Sequence, residues 1–280
     1  MTIPSDIRAG AISVLQTGMA RDKAAQARRI AKAWSDGKLA MPEDWPIDAS
    51  IDAPARPDRP EPVAPGEVPR RRLNSVLGRI ALLHAIAHIE LNAIDLAFDL
   101  IARFGGDKRL PEPQRRAFIT DWVSVGDDEA RHFVLIADRL NALDSEYGAL
   151  PAHGGLWEAA GHTAHDLAAR LAVAPLVLEA RGLDVTPNMI ERLKSAGDPV
   201  SADLLSIIYR EEIGHVRAGM RWFKVISGSE NRDPQTYYQE LVRLHFKGLV
   251  KPPFNFDARD QAGFPADFYE ALAVTGPPLA

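Results

Sequence analysis

Apolar residues recur three and four positions apart along most of this 280-residue chain, and strand-like alternation is scarce. Residues 5 to 36 carry the helical pattern at Ile7, Ala11, Val14, Leu15, Ile30, Ala33 and Trp34. Residues 41 to 70 break it with eight prolines, which exclude a helix and predict an extended arm over the surface. Trp45, Ile47, Ile51 and Val63 are its candidate anchors. Four long helical patterns follow. The first runs from about Ser75 to Phe104 and stops at Gly105-Gly106. The second starts at Pro111 or Pro113 and reaches about Leu143. The third spans Gly155 to Arg181, contains Pro175 and ends at Gly182, with a short helix from Thr186 or Pro187 to Ser195. The fourth runs from Pro199 to Ser227, and a further helix covers Gln235 to Phe246. Four helices of this length predict an all-α antiparallel four-helix bundle. The expected division is 1–40, an N-terminal helical segment; 41–72, the arm, wrapping the bundle; 73–230, the bundle; and 231–280, an extension covering it.

The chemistry lies on the apolar faces of those helices. Glu90 sits mid-helix in the first pattern, Glu129-Ala-Arg-His132 in the second, Glu179 in the third and Glu212-Ile-Gly-His215 in the fourth. Successive helical residues advance about 100°, so Glu and His three apart lie about 60° apart and can ligate one centre. A glutamate from each of two helices and a Glu-x-x-His from each of the other two is the ligand set of dinuclear carboxylate bundles. Glu90 to Glu129 spans 39 residues and Glu179 to Glu212 spans 33, each fitting half a helix, a turn and half a helix. The neighbours at helical spacing are apolar: Leu83, Ala87, Ile94 and Ala97 about Glu90, and Trp122, Val125 and Ile136 about Glu129. Ala172, Leu176 and Leu183 flank Glu179, and Leu205, Ile208, Val216 and Trp222 flank Glu212. Carboxylates on inward faces require cations. Four negative charges and two imidazoles balance two divalent ions.

Composition narrows the metal. There is no cysteine, which excludes disulfides, iron–sulfur clusters, thiolate zinc and a cysteine nucleophile. Carboxylate and imidazole donors suit iron or manganese. Two irons are expected, with manganese or a mixed iron/manganese pair as alternatives. A net charge of −5 speaks against a broad nucleic-acid footprint, although small basic patches lie at Arg70, Arg71 and Arg72 and at Arg115 and Arg116. The first residues, MTIPSDIRAG, contain neither a basic nor an apolar leader region, and no uncharged apolar run approaches a membrane span. The expectation is a soluble cytoplasmic protein with no membrane partner, for which a homodimer is compatible.

Other candidates surround this set. His84 and His88 point about 120° and 160° away from Glu90, which favours packing or supporting roles. His165 shares the face of Glu179 but lies ~21 Å along the axis, and with His162 reads as a packed or surface histidine. Tyr209, one turn before Glu212, is a core tyrosine or a catalytic phenol. Asp95, Asp121 and Asp203 are candidates to orient the ligand histidines. Pro175, four residues before Glu179, predicts a kink or an opening near the metals.

The segments HxExxAIDLAFD around Glu90, DDEARHF around Glu129, REEIGHV around Glu212 and the tail KPPFNFDARDQAGF resemble the bacterial ferritin-like family catalogued as domain of unknown function 455. The resemblance covers most of the chain and implies a ferritin-like fold and metal site without supplying a substrate. Its wider superfamily holds a tRNA-modifying hydroxylase, ubiquinone-precursor hydroxylases, manganese catalases, rubrerythrins and ferritins. The function expected is therefore an oxygen-activating di-iron oxidoreductase, with Glu129, Glu212 and Tyr209 as catalytic residues. Its partners would be dioxygen, an external electron donor and a small-molecule or modified-nucleoside substrate. The alternatives are an iron-handling ferroxidase or storage protein and a di-manganese peroxide-decomposing enzyme.

Overall fold

The computed structural model describes residues 4–45, 52–67 and 72–273. Pro46, Ile47, Ile51, Pro69, Arg70 and Arg71 lie outside them. Helices dominate: α1 Ile7–Leu15, α2 Ala20–Ser35, α3 Val76–Phe104, α4 Glu112–Asn141, α5 Gly155–His162, α6 Leu167–Val173, α7 Ala180–Ser195, α8 Pro199–Ser229, α9 Pro234–His245, α10 Phe256–Gln261 and α11 Ala266–Tyr269. Among the described residues, extended pairing is confined to isolated bridges. The protein is all-α, a helical bundle with N- and C-terminal extensions, as the periodicity predicts.

Helix ends follow local chemistry. Ser75 caps α3 by accepting from the Gly78 N–H at 3.1 Å. Pro113 occupies the first turn of α4, where its missing N–H costs nothing. The predicted third helix is interrupted. Asp166 accepts from the Ala169 N–H at 2.8 Å and starts a new helix, α6. The buried Arg170 bridges the break, donating to Thr163 Oγ1 at 2.9 Å and to the Ala160 carbonyl at 2.7 Å. The predicted stop at Gly182 is also absent. Gly182 is not among the glycines with positive φ, and α7 runs through it and through Pro187 to Ser195, absorbing the predicted short helix.

Contacts divide the chain into two compact units, 1–158 with 190–205, and 159–189 with 206–280. In the first, α3 packs on α4 and α1, and α2 packs on α4 and α1. Helix α3 is long and apolar enough, by length and composition, to cross a membrane, yet 72% of that stretch is buried. The arm is tied down at several points of this unit. Trp45 donates from Nε1 to the Ala102 carbonyl at 3.0 Å, and its ring fills the space beside Gly105 and Gly106, where an added Cβ would lie 2.2 Å from it. Those two glycines therefore admit an anchor as well as ending a helix. Val63 N–H donates to the Ala152 carbonyl at 3.0 Å. In the second unit, α9 packs against α6 and α11. Phe223, Tyr238, Phe264 and Phe268 form its aromatic core.

Candidate metal centre

Glu90 and Glu129 are 5% and 1% exposed, and His132 is fully buried. Helices α3 and α4 bring them together because each presents its acidic residue within an apolar stripe. Leu83, Ala87, Ile94 and Ala97 are buried about Glu90, as are Trp122, Val125 and Ile136 about Glu129. Donor atoms of Glu90, Glu129 and His132 lie within 4.8 Å of one another. His132 Nδ1 is 3.2 Å from Glu90 Oε2 and 3.6 Å from Glu129 Oε2. Burial alone would disfavour the charged imidazole. The hydrogen bonds and charges of Glu129 and Glu90 outweigh it and raise the His132 pKa to about 11. The set fits a divalent cation by burial, by charge and by donor chemistry.

The second unit carries the matching half of the predicted set. Glu212 and His215 are three apart on α8, with His215 Nδ1 3.3 Å from Glu212 Oε1. Their stripe is buried at Ile208, Val216 and Trp222. Glu179 is half-buried at the end of a π-helical segment, Ala174–Glu179, between α6 and α7. The sequence predicts a kink or an opening at Pro175, and the helix widens there into a π-helical turn. The Ala180 N–H reaches back five residues to the Pro175 carbonyl, a wider turn than that of a regular helix. Gly219 of α8 receives that bulge, since a Cβ there would lie 2.6 Å from Pro175 Cβ.

Of the surrounding candidates, several have other partners. Asp95 does not orient a ligand histidine. It is fully buried and ion-paired with Lys23 and, at 3.2 Å, with Arg56 of the arm. Asp203 is exposed and Asp121 half-buried. His84 Nε2 accepts from the Gly148 N–H at 2.9 Å, and its ring stacks on Tyr147. His88 Nδ1 pairs with the Tyr147 hydroxyl at 2.8 Å. Both histidines therefore pack the loop after α4, as their helical angles predict. His162 and His165 are exposed, and the His165 ring approaches His245 at 5.2 Å. Tyr209 is half-buried, and its hydroxyl accepts from Asn255 Nδ2 at 2.9 Å while retaining its own proton to donate. Sequence reasoning missed Lys23, Arg56 and Tyr147. The one available signal was Lys23 itself, a cation on the Ala24, Ala27 and Ala31 side of α2.

A family model described as "Protein of unknown function (DUF455)" matches residues 16–270. The chain belongs to this family. The DUF455 match spans the arm, all the predicted ligands and most of the tail, so it meets the expectation drawn from the motifs. An uncharacterized protein of Haemophilus influenzae is similar, 42% identical over 223 residues, covering 79% of this chain and 77% of that protein. No solved structure matches the chain.

Proposed function

We propose that this DUF455 protein holds two metal ions, iron by preference, and uses them as an oxygen-activating oxidoreductase on an organic substrate. The observation that carries the reading is the buried Glu90–Glu129–His132 cluster, together with the second Glu-x-x-His at Glu212 and His215. Buried carboxylates are costly unless they are paired or hold a cation. In this reading Glu179, Glu212 and His215 complete the set begun by Glu90, Glu129 and His132. A pair of such ions supplies a place where dioxygen binds and is reduced.

The chain's own residues do the rest. Glu90 and Glu129 would neutralise the ions, and His132, beside both carboxylates, would ligate through a neutral ring nitrogen. Tyr209, with Asn255 on its oxygen, is the candidate proton donor one turn from Glu212. The tail sits against the helices that carry Glu179 and Glu212: Arg259 pairs with Asp184 at 2.7 Å, and Arg217 donates to the Gln261 carbonyl at 3.0 Å. Such cover favours a dry site over an open iron-entry surface. With no cysteine available, electrons must come from an external donor.

Anaerobic loading with ferrous iron, followed by oxygen, tests this. About two irons per chain should be oxidised and the reaction should then stop until a reductant is added. Continued oxidation of hundreds of ferrous ions in a large assembly would replace this reading with iron storage and leave the metal site standing.

A further inference from the structure

Between Glu240 and Asp257 the second unit runs without a carboxylate. Residues 241–256, LVRLHFKGLVKPPFNF, form the end of α9 and the loop into α10. Arg243, Lys247 and Lys251 recur there at every fourth position. All three are exposed, and among the described residues none forms an ion pair with a carboxylate. This local positive surplus stands on a chain whose net charge is −5.

The apolar side chains set among those cations are exposed as well. Leu244 is 74% exposed, Leu249 46% and Phe256 45%. Leu244 follows Tyr237 by seven residues and Leu241 by three, so it continues the buried stripe of α9 past the point where the core ends. Leu249 and Phe256 flank a loop whose backbone is fastened. Arg181 donates to the Lys251 carbonyl at 2.7 Å and to the Pro253 carbonyl at 3.1 Å, and the Asn255 N–H donates to Asp184 at 2.9 Å. Val250 pairs with Ala273 in an isolated bridge. The main chain is thus held against the unit while its apolar tips stay outside. Exposed apolar side chains gathered in this way mark a contact surface.

We propose that residues 241–256 dock the protein on an anionic lipid surface. Leu244, Leu249 and Phe256 enter the boundary between headgroups and acyl chains, and Arg243, Lys247 and Lys251 meet the lipid phosphates. Long cationic side chains suit this place, because their stems lie along apolar surface while their heads reach the phosphates. A second copy of the chain fits the patch less well, since a symmetric pair would set the same cations against one another. Contact of this kind needs neither a leader nor a membrane-spanning run.

Co-sedimentation of the full chain with phosphatidylcholine vesicles, with and without about one third phosphatidylglycerol, tests this. The chain should pellet with the anionic vesicles and bind phosphatidylcholine alone about tenfold more weakly. Raising the salt to about 0.5 M should weaken binding to the anionic vesicles. The double variant Lys247→Ala, Lys251→Ala should lose about tenfold in affinity for them, and so should Leu244→Ser, Leu249→Ser, by about the same factor. Met19→Ser, at a 64% exposed position of the first unit, should bind as wild type. All these changes fall on exposed side chains and should keep the wild-type circular dichroism spectrum. Three results would each overturn the proposal: no sedimentation with the anionic vesicles, equal binding to both lipids, or wild-type binding in both double variants. A fourth is a dimer in lipid-free solution, seen by light scattering, that Leu244→Ser with Leu249→Ser splits into monomers; it would assign the surface to a second copy.

Discussion

Lys23 of α2 and Asp95 of α3 form an ion pair in which neither side chain has any exposure. Lys23 also donates to the Ala55 carbonyl at 3.0 Å, so one ammonium group joins two helices and the arm. Burial lowers the Lys23 pKa and raises that of Asp95, each opposed by the charge of the other. Removing one partner strands a buried charge. Lys23→Met alone should therefore cost about 3–5 kcal/mol in urea unfolding. Lys23→Met combined with Asp95→Asn should cost clearly less than the sum of the single changes. Additive costs would show that the pair is not coupled.

Glu129→Ala should abolish retention of both metal ions while leaving helicity near wild type, because the helices pack through Trp122, Val125 and Ile136 rather than through the carboxylate. Glu212→Ala should do the same. Elemental analysis beside circular dichroism checks both changes. Two ions per chain in either variant would move the ligand set elsewhere.

His84→Ala and His88→Ala should keep the metal content of the wild type, since both rings are engaged with the loop around Tyr147. Loss of the His84 acceptor leaves the Gly148 N–H without its partner, at a cost of about 1–3 kcal/mol. Metal analysis and thermal melting separate these two outcomes.

Acid should weaken the fold through His84. Burial lowers its pKa from 6.5 to about 4, and Nε2 must stay unprotonated to accept from Gly148. The unfolded chain takes up this proton at a higher pH than the folded one, so stability falls as pH drops from about 6.5 towards 4. The slope from this group approaches about 1.4 kcal/mol per pH unit. His84→Gln, which keeps an acceptor but does not titrate, should flatten the denaturation midpoint over that window. An unchanged profile would assign the acid sensitivity to other groups.

Gly219→Ala should destabilise by about 1–3 kcal/mol, because the new methyl meets Pro175. Pro175→Gly in the same chain, which removes the Cβ that the new methyl meets, should recover part of that loss. Chemical denaturation of the single and double variants measures it.

The ends of α3 and α4 were legible in the sequence because Ser75, Gly105 and Pro113 act on their own backbone neighbours. The inward stripe about each candidate ligand was legible because helical periodicity carries it. The break between α5 and α6 was not. It depends on a buried arginine, Arg170, reaching back ten residues to the Ala160 carbonyl, and an arginine in a helical pattern reads as solvated. Pro175 announced a distortion but not its kind, since a kink and a widened turn both answer a missing N–H. Asp95 was legible as a buried acid and given the wrong partner, because Lys23 and Arg56 lie 72 and 39 residues away along the chain.

The arm's attachment bears on how the bundle can be cut. Asp95 draws one counter-charge from Lys23 and another from Arg56, both N-terminal to α3. A chain shortened to begin at α3 would lose both at a stroke and would also strip Trp45 from Gly105 and Gly106. Its buried acid would have to take up a proton or draw in water. The helices that carry Glu90 and Glu129 are therefore not a portable module, and the segment before them works as an internal clasp that any truncation or graft must carry along.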